Sequence, residues 1–158
     1  MVFALTLAAC VGAGTIGGVF FAFSTFVMRA LSQLPAAQGV AAMQRINVVV
    51  LGPAFLGVFV GTALLSLACV LLSLAAGPSK ATAWLAAAAV LYVVGSLGVT
   101  MAFNVPRNNR LAALQAESPQ AAAYWPVCLH EWLRWNHVRT AASLAASACS
   151  AVALSTLS

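Results

Sequence analysis

One short stretch of the chain holds most of the residue types that could do chemistry. Residues 130–140 contain both histidines, one of the two acidic residues and two of the four tryptophans in the 158-residue sequence. An imidazole can accept a proton near neutral pH, and an arginine can stabilise a developing negative charge. We therefore take this stretch, centred on His137 and Arg139, as the candidate site and ask which elements position it.

The composition predicts an integral membrane protein of one domain, residues 1–158. The chain is 63% hydrophobic and 6% charged, whereas soluble domains carry about 25% charged residues. So few charges cannot form a surface that water solvates. The net charge of +5 comes from single basic residues at the ends of apolar runs. This placement is typical of topology determinants rather than of nucleic-acid binding.

Four apolar stretches reach the length of about 20 residues that a helix needs to cross a bilayer. These stretches run from about residue 2 to 28, 48 to 75, 81 to 103 and 138 to 157. The predicted fold is all-α, an integral membrane four-helix bundle. A long polar linker with short interfacial helices is expected between the third and fourth helices. Two pairs of glycines four apart predict close helix contacts; they are Gly14 with Gly18 and Gly57 with Gly61.

Turn residues predict where the helices end. The Gly77-Pro78 turn is short, so the second and third helices should be antiparallel neighbours. Pro106 should end the third helix because proline disfavours a helical residue before it. Ser118 followed by Pro119 is typical of a helix start. We expect a helix from about residue 126 that continues into the fourth span.

The basic residues also predict an orientation. Lys80 lies on one side of the predicted spans, whereas six arginines lie in or beside the first and third loops. The positive-inside rule places loops 1 and 3 in the cytoplasm and both termini outside, in what we expect to be a bacterial inner membrane.

The spacing within the candidate site predicts one polar helix face. Trp132, Asn136, Arg139 and Ser143 follow one another at intervals of four, three and four, so they share a face. Glu131 and Arg134 are close enough along the helix to pair. His130 and His137 are two turns apart, roughly 10 Å, so we predict no metal site.

Polar residues at the ends of the other helices should meet this face. They would form a polar pocket that opens from an apolar bundle and suits a flat hydrophobic substrate with a few oxygens. Arginines at helix ends can equally bind lipid phosphates, and interfacial tryptophans can simply anchor the protein. The residues expected to converge are Ser24, Arg29, Asn47, Asn104, Arg107, Asn108, Asn136, His137 and Arg139.

Several segments together resemble the anthrone oxygenase-like family of small membrane proteins. They are residues 17–28, 43–47, 104–109 and 132–140. The most specific parts are Asn-Val-Pro at 104–106 and Trp-Asn-His-Val-Arg-Thr at 135–140. Members with an assigned function oxidise anthrones to anthraquinones with no recognised cofactor-binding motif. The resemblance implies a hydrophobic aromatic or phenolic substrate, dioxygen as the oxidant, and neither a cofactor nor a metal.

A cofactor-free mechanism assigns roles to the candidate residues. A base removes a proton from the anthrone methylene, and positive groups stabilise the enolate and peroxide oxygens. His137 would be the base, with Glu131 as the alternative. Arg139 and Arg107 would stabilise the oxyanions, and amide groups would orient the substrate. The orienting residues are Asn104, Asn108 and Asn136; the other substrate contacts are Trp132, Trp135, Asn47, Arg29 and Ser24.

A different class of function stays open. The same bundle could be non-catalytic and bind a lipid, a quinone or a partner membrane protein. A channel or transporter is less favoured, because no inverted repeat is apparent and no charged residue lies mid-span. The expected partners are a hydrophobic small molecule, dioxygen and membrane lipids, with no nucleic acid. The sequence is also compatible with a homo-oligomer.

Overall fold

A computed structural model of the protein describes residues 1–157. These residues form helices joined by short connections, and they contain no β-strand. Four of the helices are long and apolar enough to cross a membrane, so the predicted all-α membrane architecture is confirmed. The helices are α1 (Val2–Ser32), α2 (Ala36–Val49), α3 (Pro53–Ala75), α4 (Lys80–Ala112) and α5 (Pro119–Leu157).

Helix α5 is the central element of the packing. It lies against both α1 and α4, while α3 packs against these same two helices. The turn between α3 and α4 contains Gly77, whose φ of 107° favours glycine. Ser79 and Thr82 form a capping box at the start of α4. The predicted pairing of these two helices as neighbours is confirmed.

The closest helix contacts occur at glycines outside the predicted pairs. A Cβ atom on Gly17 of α1 would lie 2.7 Å from Leu144, and one on Gly95 of α4 would lie 2.6 Å from Ala142. Both contacts are with α5, so these glycines let the neighbouring backbones approach it. Of the predicted glycines, Gly14 lies against α5, where a Cβ atom would be 3.2 Å from the Ser147 hydroxyl, whereas Gly18, Gly57 and Gly61 have open space around them. The prediction that these glycines mediate close packing is therefore confirmed for Gly14 and wrong for the other three.

The predicted long linker between the last two spans is replaced by helix. Helix α4 continues through Pro106 to Ala112, so Pro106 does not end it. The preceding segment Thr100–Asn104 is a π-helix, and the Val105 N–H bonds to the carbonyl of Thr100, five residues earlier. This wider turn accommodates a residue that lacks an N–H. Only residues 113–118 remain as a connection.

Helix α5 begins earlier than residue 126. Its first residue is Pro119, and the Ser118 hydroxyl accepts a hydrogen bond from the Ala121 N–H at 3.1 Å. The predicted serine cap with proline at the first helical position is thus confirmed. The resulting helix of 39 residues is about twice as long as a membrane crossing requires. Its amino-terminal half packs with the ends of α1 and α4.

The first connection also forms a helix. The residues between the first two predicted spans, expected to form a polar loop, lie in α2. Helix α3 starts at Pro53, which stands in its first turn and therefore causes no kink. The Gln44 amide donates to the carbonyls of Leu111 and Leu114 at 2.9 and 2.8 Å. These bonds attach α2 to the end of α4 and fix the position of Asn47, one turn further on.

Candidate active site

The predicted polar face of α5 points into the protein. Trp132, Asn136, Arg139 and Ser143 are 5%, 0%, 4% and 0% exposed. The intervals of four, three and four therefore identify the face that the other helices cover, as predicted.

Arg139 is the charged group at the centre of this face. One terminal nitrogen donates to the Thr100 hydroxyl at 3.2 Å, and the other donates to the Asn136 side-chain oxygen at 2.6 Å. The guanidinium lies over the rings of Phe20 and Trp132, 4.1 and 4.9 Å from their centroids. Its Nε atom is buried and has no hydrogen-bond partner. The contacts hold the group in one orientation.

Within residues 1–157, Arg139 has no acidic counter-ion. The chain contains two acidic side chains; Glu117 is exposed on the surface, and Glu131 is paired with Arg107 at 2.8 Å. Buried charges in proteins are normally paired, because desolvation of an isolated ion is costly. Arginine nevertheless keeps its charge. The site therefore holds a fixed positive charge that an anionic ligand or transition state could neutralise.

Amide and hydroxyl groups behind Arg139 fix its orientation. The Asn136 amide donates to the Phe20 carbonyl at 2.7 Å and to the Ser24 hydroxyl at 2.8 Å. Ser24 is also hydrogen-bonded to Thr140 at 3.1 Å. With its nitrogen held by α1, Asn136 must present its oxygen to Arg139. Asn136 is therefore a positioning residue.

The helices next to this network contain π-helical turns. They cover Phe23–Val27 in α1, and Leu91–Gly98 and Thr100–Asn104 in α4. These segments supply Ser24, which binds Asn136, and Thr100, which binds Arg139. Such turns occur frequently at functional sites because they re-aim side chains without ending the helix.

A cavity of about 350 Å³ lies against Arg139. This volume falls within the usual range for small-molecule sites. Aromatic and aliphatic side chains from α1, α2, α3 and α4 form most of its wall, and carboxamides supply much of its polar lining. The aromatic lining residues are Phe20, Phe23, Phe55, Phe59 and Trp132; the polar ones are Gln44, Asn47, Thr100, Asn108, Asn109 and Arg139.

The structure brings together part of the predicted set. Asn47, Asn108, Trp132 and Arg139 line the cavity, and the Trp132 indole donates to Asn108 at 2.9 Å. Asn104 is buried beside them and donates to the Trp132 carbonyl at 3.2 Å, while its own side-chain oxygen has no partner. These residues come from α2, α4 and α5, as the predicted convergence requires.

His137 does not face the cavity. Its side chain is exposed and is absent from the lining, because one helical residue turns it about 100° away from Asn136. The expectation that His137 shares a chamber with Asn47 and Asn104 is wrong. His130 is exposed as well. Within residues 1–157 no three His, Cys, Asp or Glu side chains lie together as a metal-binding group.

Three other predicted residues also lie away from the cavity. Arg107 does not line it but donates to Glu131 at 2.8 Å, so the expected pairing of Glu131 with Arg134 is wrong. Trp135 stacks on Phe103 with a 3.5 Å centroid distance. Arg29 is exposed and, with Ser24 and His130, lines a separate open groove of about 520 Å³ between α1 and α5.

Several lining residues could not be identified from the sequence. Phe20 and Thr100 contact the guanidinium, and Phe55, Phe59, Gln44 and Asn109 complete the wall. Phe20 lies within a segment, residues 17–28, that carried the family resemblance, but an aromatic residue in an apolar span is not distinctive. Its position became apparent only from the packing of α1 against α5.

Comparison with known proteins gives one match. Neither a curated protein nor a solved structure matches the chain. A family model described as anthrone oxygenase matches residues 48–149, nearly two thirds of the chain. The matched region contains Asn104, Asn136 and Arg139. The chain therefore belongs to the anthrone oxygenase family.

Proposed function

We propose that this protein is a membrane-embedded oxygenase that oxidises an anthrone or a similarly acidic, hydrophobic phenolic compound with dioxygen. The observation that carries the proposal is Arg139, a buried positive charge without a counter-ion at the wall of an aromatic cavity. Membership of the anthrone oxygenase family supports the same reaction. A lipid-soluble substrate would reach such a site from the bilayer.

The cavity suits a flat aromatic compound with few polar atoms. Phe20, Phe55, Phe59 and Trp132 offer ring surfaces, and such rings pack against a fused aromatic system at offset or edge-to-face angles. The polar contacts are side-chain amides, one hydroxyl and one guanidinium. These groups can donate hydrogen bonds to carbonyl and phenolic oxygens.

The chemical role of Arg139 is to stabilise the substrate anion. Loss of a methylene proton from an anthrone produces an aromatic enolate, whose negative oxygen would sit beside the guanidinium. A positive neighbour lowers the pKa of an acid, so the bound substrate ionises more readily. Since the cavity lining contains no His, Asp or Glu, we assign proton abstraction to water or hydroxide rather than to His137.

The overall reaction balances with dioxygen alone. The enolate carbon forms a bond to dioxygen, which is reduced to a peroxide that takes up one proton. The second hydrogen on that carbon then leaves as a proton, the O–O bond breaks, and the carbon becomes a carbonyl. Anthrone and dioxygen thus give anthraquinone and water. The protein's contribution would be electrostatic stabilisation in a largely apolar cavity, with no cofactor.

Oxygen uptake tests this proposal directly. The full-length protein in lipid nanodiscs is given anthrone, and oxygen consumption and anthraquinone formation are followed with and without a metal chelator. We expect equal amounts of oxygen consumed and quinone formed, at a rate above that in empty nanodiscs and insensitive to the chelator. A rate equal to that of empty nanodiscs would exclude the oxygenase function for this substrate class.

Quinone binding without turnover is the second candidate. The observation that favours it is the same pairing of Arg139 with aromatic rings, because a guanidinium can donate to a quinone carbonyl. This reading predicts saturable anthraquinone binding together with no oxygen uptake. The two measurements in the same nanodiscs therefore distinguish it from the oxygenase.

The orientation in the membrane is also a proposal. Arg139 is buried and belongs to the site, so it does not count toward topology. Five arginines remain in or near the first and third connections, against Lys80 on the other side. We propose that these two connections are cytoplasmic and both termini are outside a bacterial inner membrane. Reporter fusions at the carboxyl terminus would show an external location if this is right, and a cytoplasmic one if it is wrong.

A further inference from the structure

Two hydrogen-bond donors of the same cavity have no partner. They are the side-chain nitrogen of Asn47 and the Nε of Arg139, both buried, and both residues line the cavity. A buried donor without an acceptor destabilises the folded protein, and proteins keep few of them. Two in one cavity point to a ligand that carries acceptor oxygens at two separate positions.

Asn47 belongs to a fixed wall rather than to a loop. It lies on α2, three residues after Gln44, whose amide is held by two carbonyls at the end of α4. Arg139 lies on α5 and is held by Thr100 and Asn136. The two donors therefore approach the cavity from different helices, and neither needs a large movement to meet a bound molecule.

The reaction proposed above supplies the second acceptor. An anthrone carries its ketone oxygen on one carbon of the central ring and its methylene on the opposite carbon. When the enolate attacks dioxygen, the methylene carbon gains a C–O bond and dioxygen is reduced to a peroxide. Protonation, loss of the remaining hydrogen as a proton and cleavage of the O–O bond leave a carbonyl and water. The substrate thus has one oxygen atom attached to the central ring, and the product has two, on opposite carbons.

We propose that Asn47 is a second oxyanion donor, which hydrogen-bonds the oxygen installed at the reacting carbon while Arg139 holds the oxygen on the opposite carbon. This inference rests on the proposed function. A donor that finds its acceptor only after C–O bond formation stabilises the intermediate and not the substrate. Asn47 is then a catalytic residue, and the ligand class is an aromatic ketone that becomes a para-quinone.

The test compares binding of substrate and product without turnover. Anthrone, under strict exclusion of oxygen, and anthraquinone are titrated into the full-length protein in nanodiscs, with quenching of tryptophan fluorescence as the readout. Asn47→Leu removes the donor and keeps the branched shape and the number of heavy atoms of the side chain. Gln38→Leu, which replaces an exposed carboxamide on the same helix α2 outside the cavity lining, is the matched control. Thermal unfolding checks that each variant is folded; the Asn47 nitrogen has no internal partner to lose.

We expect the wild-type protein to bind anthraquinone roughly tenfold more tightly than anthrone, the effect of about one hydrogen bond. Asn47→Leu should abolish this preference, leave anthrone affinity within about twofold and lower kcat without raising KM. Gln38→Leu should change neither affinity. Equal loss of both affinities in Asn47→Leu, or an unchanged preference, would overturn the proposal. Oxygen uptake by the wild type is scored separately, so a failed oxygenase function and a failed role for Asn47 give different results.

Discussion

Replacement of Arg139 by methionine should separate function from stability. The change removes two hydrogen bonds to a charged group, each worth about 1.5–3 kcal/mol, and two ring contacts of about 2 kcal/mol each when desolvated. It also removes the desolvation cost of an unpaired ion, several kcal/mol, and buries an apolar chain worth about 1.5–3 kcal/mol. These terms largely cancel, and the group left without a partner is one neutral acceptor, the Asn136 side-chain oxygen, rather than a carboxylate. We expect stability within about 2 kcal/mol of the wild type.

Turnover of anthrone by Arg139→Met, unlike its stability, should fall sharply. Loss of one preorganised oxyanion donor lowers kcat by about 100- to 1000-fold. The kcat of Arg139→Met for anthrone oxidation should therefore fall by that factor. Arg139→Lys keeps the charge but loses the planar guanidinium and its several N–H donors, so its kcat should fall less. Turnover and thermal unfolding are measured together, with Arg134→Met as the control because Arg134 is an exposed arginine on the same helix. Destabilisation of Arg139→Met by more than about 4 kcal/mol would identify a structural arginine, and wild-type turnover would refute its catalytic role.

Three further predictions test other parts of the structure. His137→Ala should retain wild-type turnover, since the imidazole is exposed outside the cavity; a loss of tenfold or more would restore it as the base. Gly95→Ala should destabilise the protein by about 1–3 kcal/mol through overpacking at a 2.6 Å contact, while Gly18→Ala, with open space around it, should be neutral in the same thermal assay. Glu131→Gln should cost less than about 1 kcal/mol, because its ion pair with Arg107 is partly exposed; a turnover defect with normal stability would contradict a purely structural pair.

The membrane architecture could be predicted from the sequence because it depends on composition and length. Four apolar runs that water cannot solvate predict four helices of membrane length, and four such helices are present, although α4 and α5 extend beyond the predicted spans. The path through Pro106 could not be predicted, since a proline normally disfavours helix continuation and the π-helical turn before it depends on packing against α5. Likewise, α2 is a helix because Gln44 and the core around Met43 attach it to neighbours that are distant in sequence.

The candidate site was predictable where one helix decides the geometry. The spacing of Trp132, Asn136 and Arg139 fixes a common face whatever surrounds it, and that face is buried. The helical spacing also places His137 outside the face shared by Asn136 and Arg139. Its position next to them in the sequence nevertheless suggested that it contacts the substrate with them. The Arg107–Glu131 pair and the position of Phe20 over Arg139 depend on how separate helices meet, which spacing along one chain does not determine.

The central claim is that Arg139 supplies uncompensated positive charge to the cavity. The most direct measurement is the pH titration of a bound, oxygen-stable hydroxyanthraquinone, whose phenol and phenolate forms differ in visible absorbance. A positive neighbour lowers the pKa of the phenol, so the phenolate should appear at lower pH in the wild-type protein than in protein-free nanodiscs, and Arg139→Met should abolish the difference. Identical titrations in the wild type and Arg139→Met, with the probe bound to both, would contradict the account.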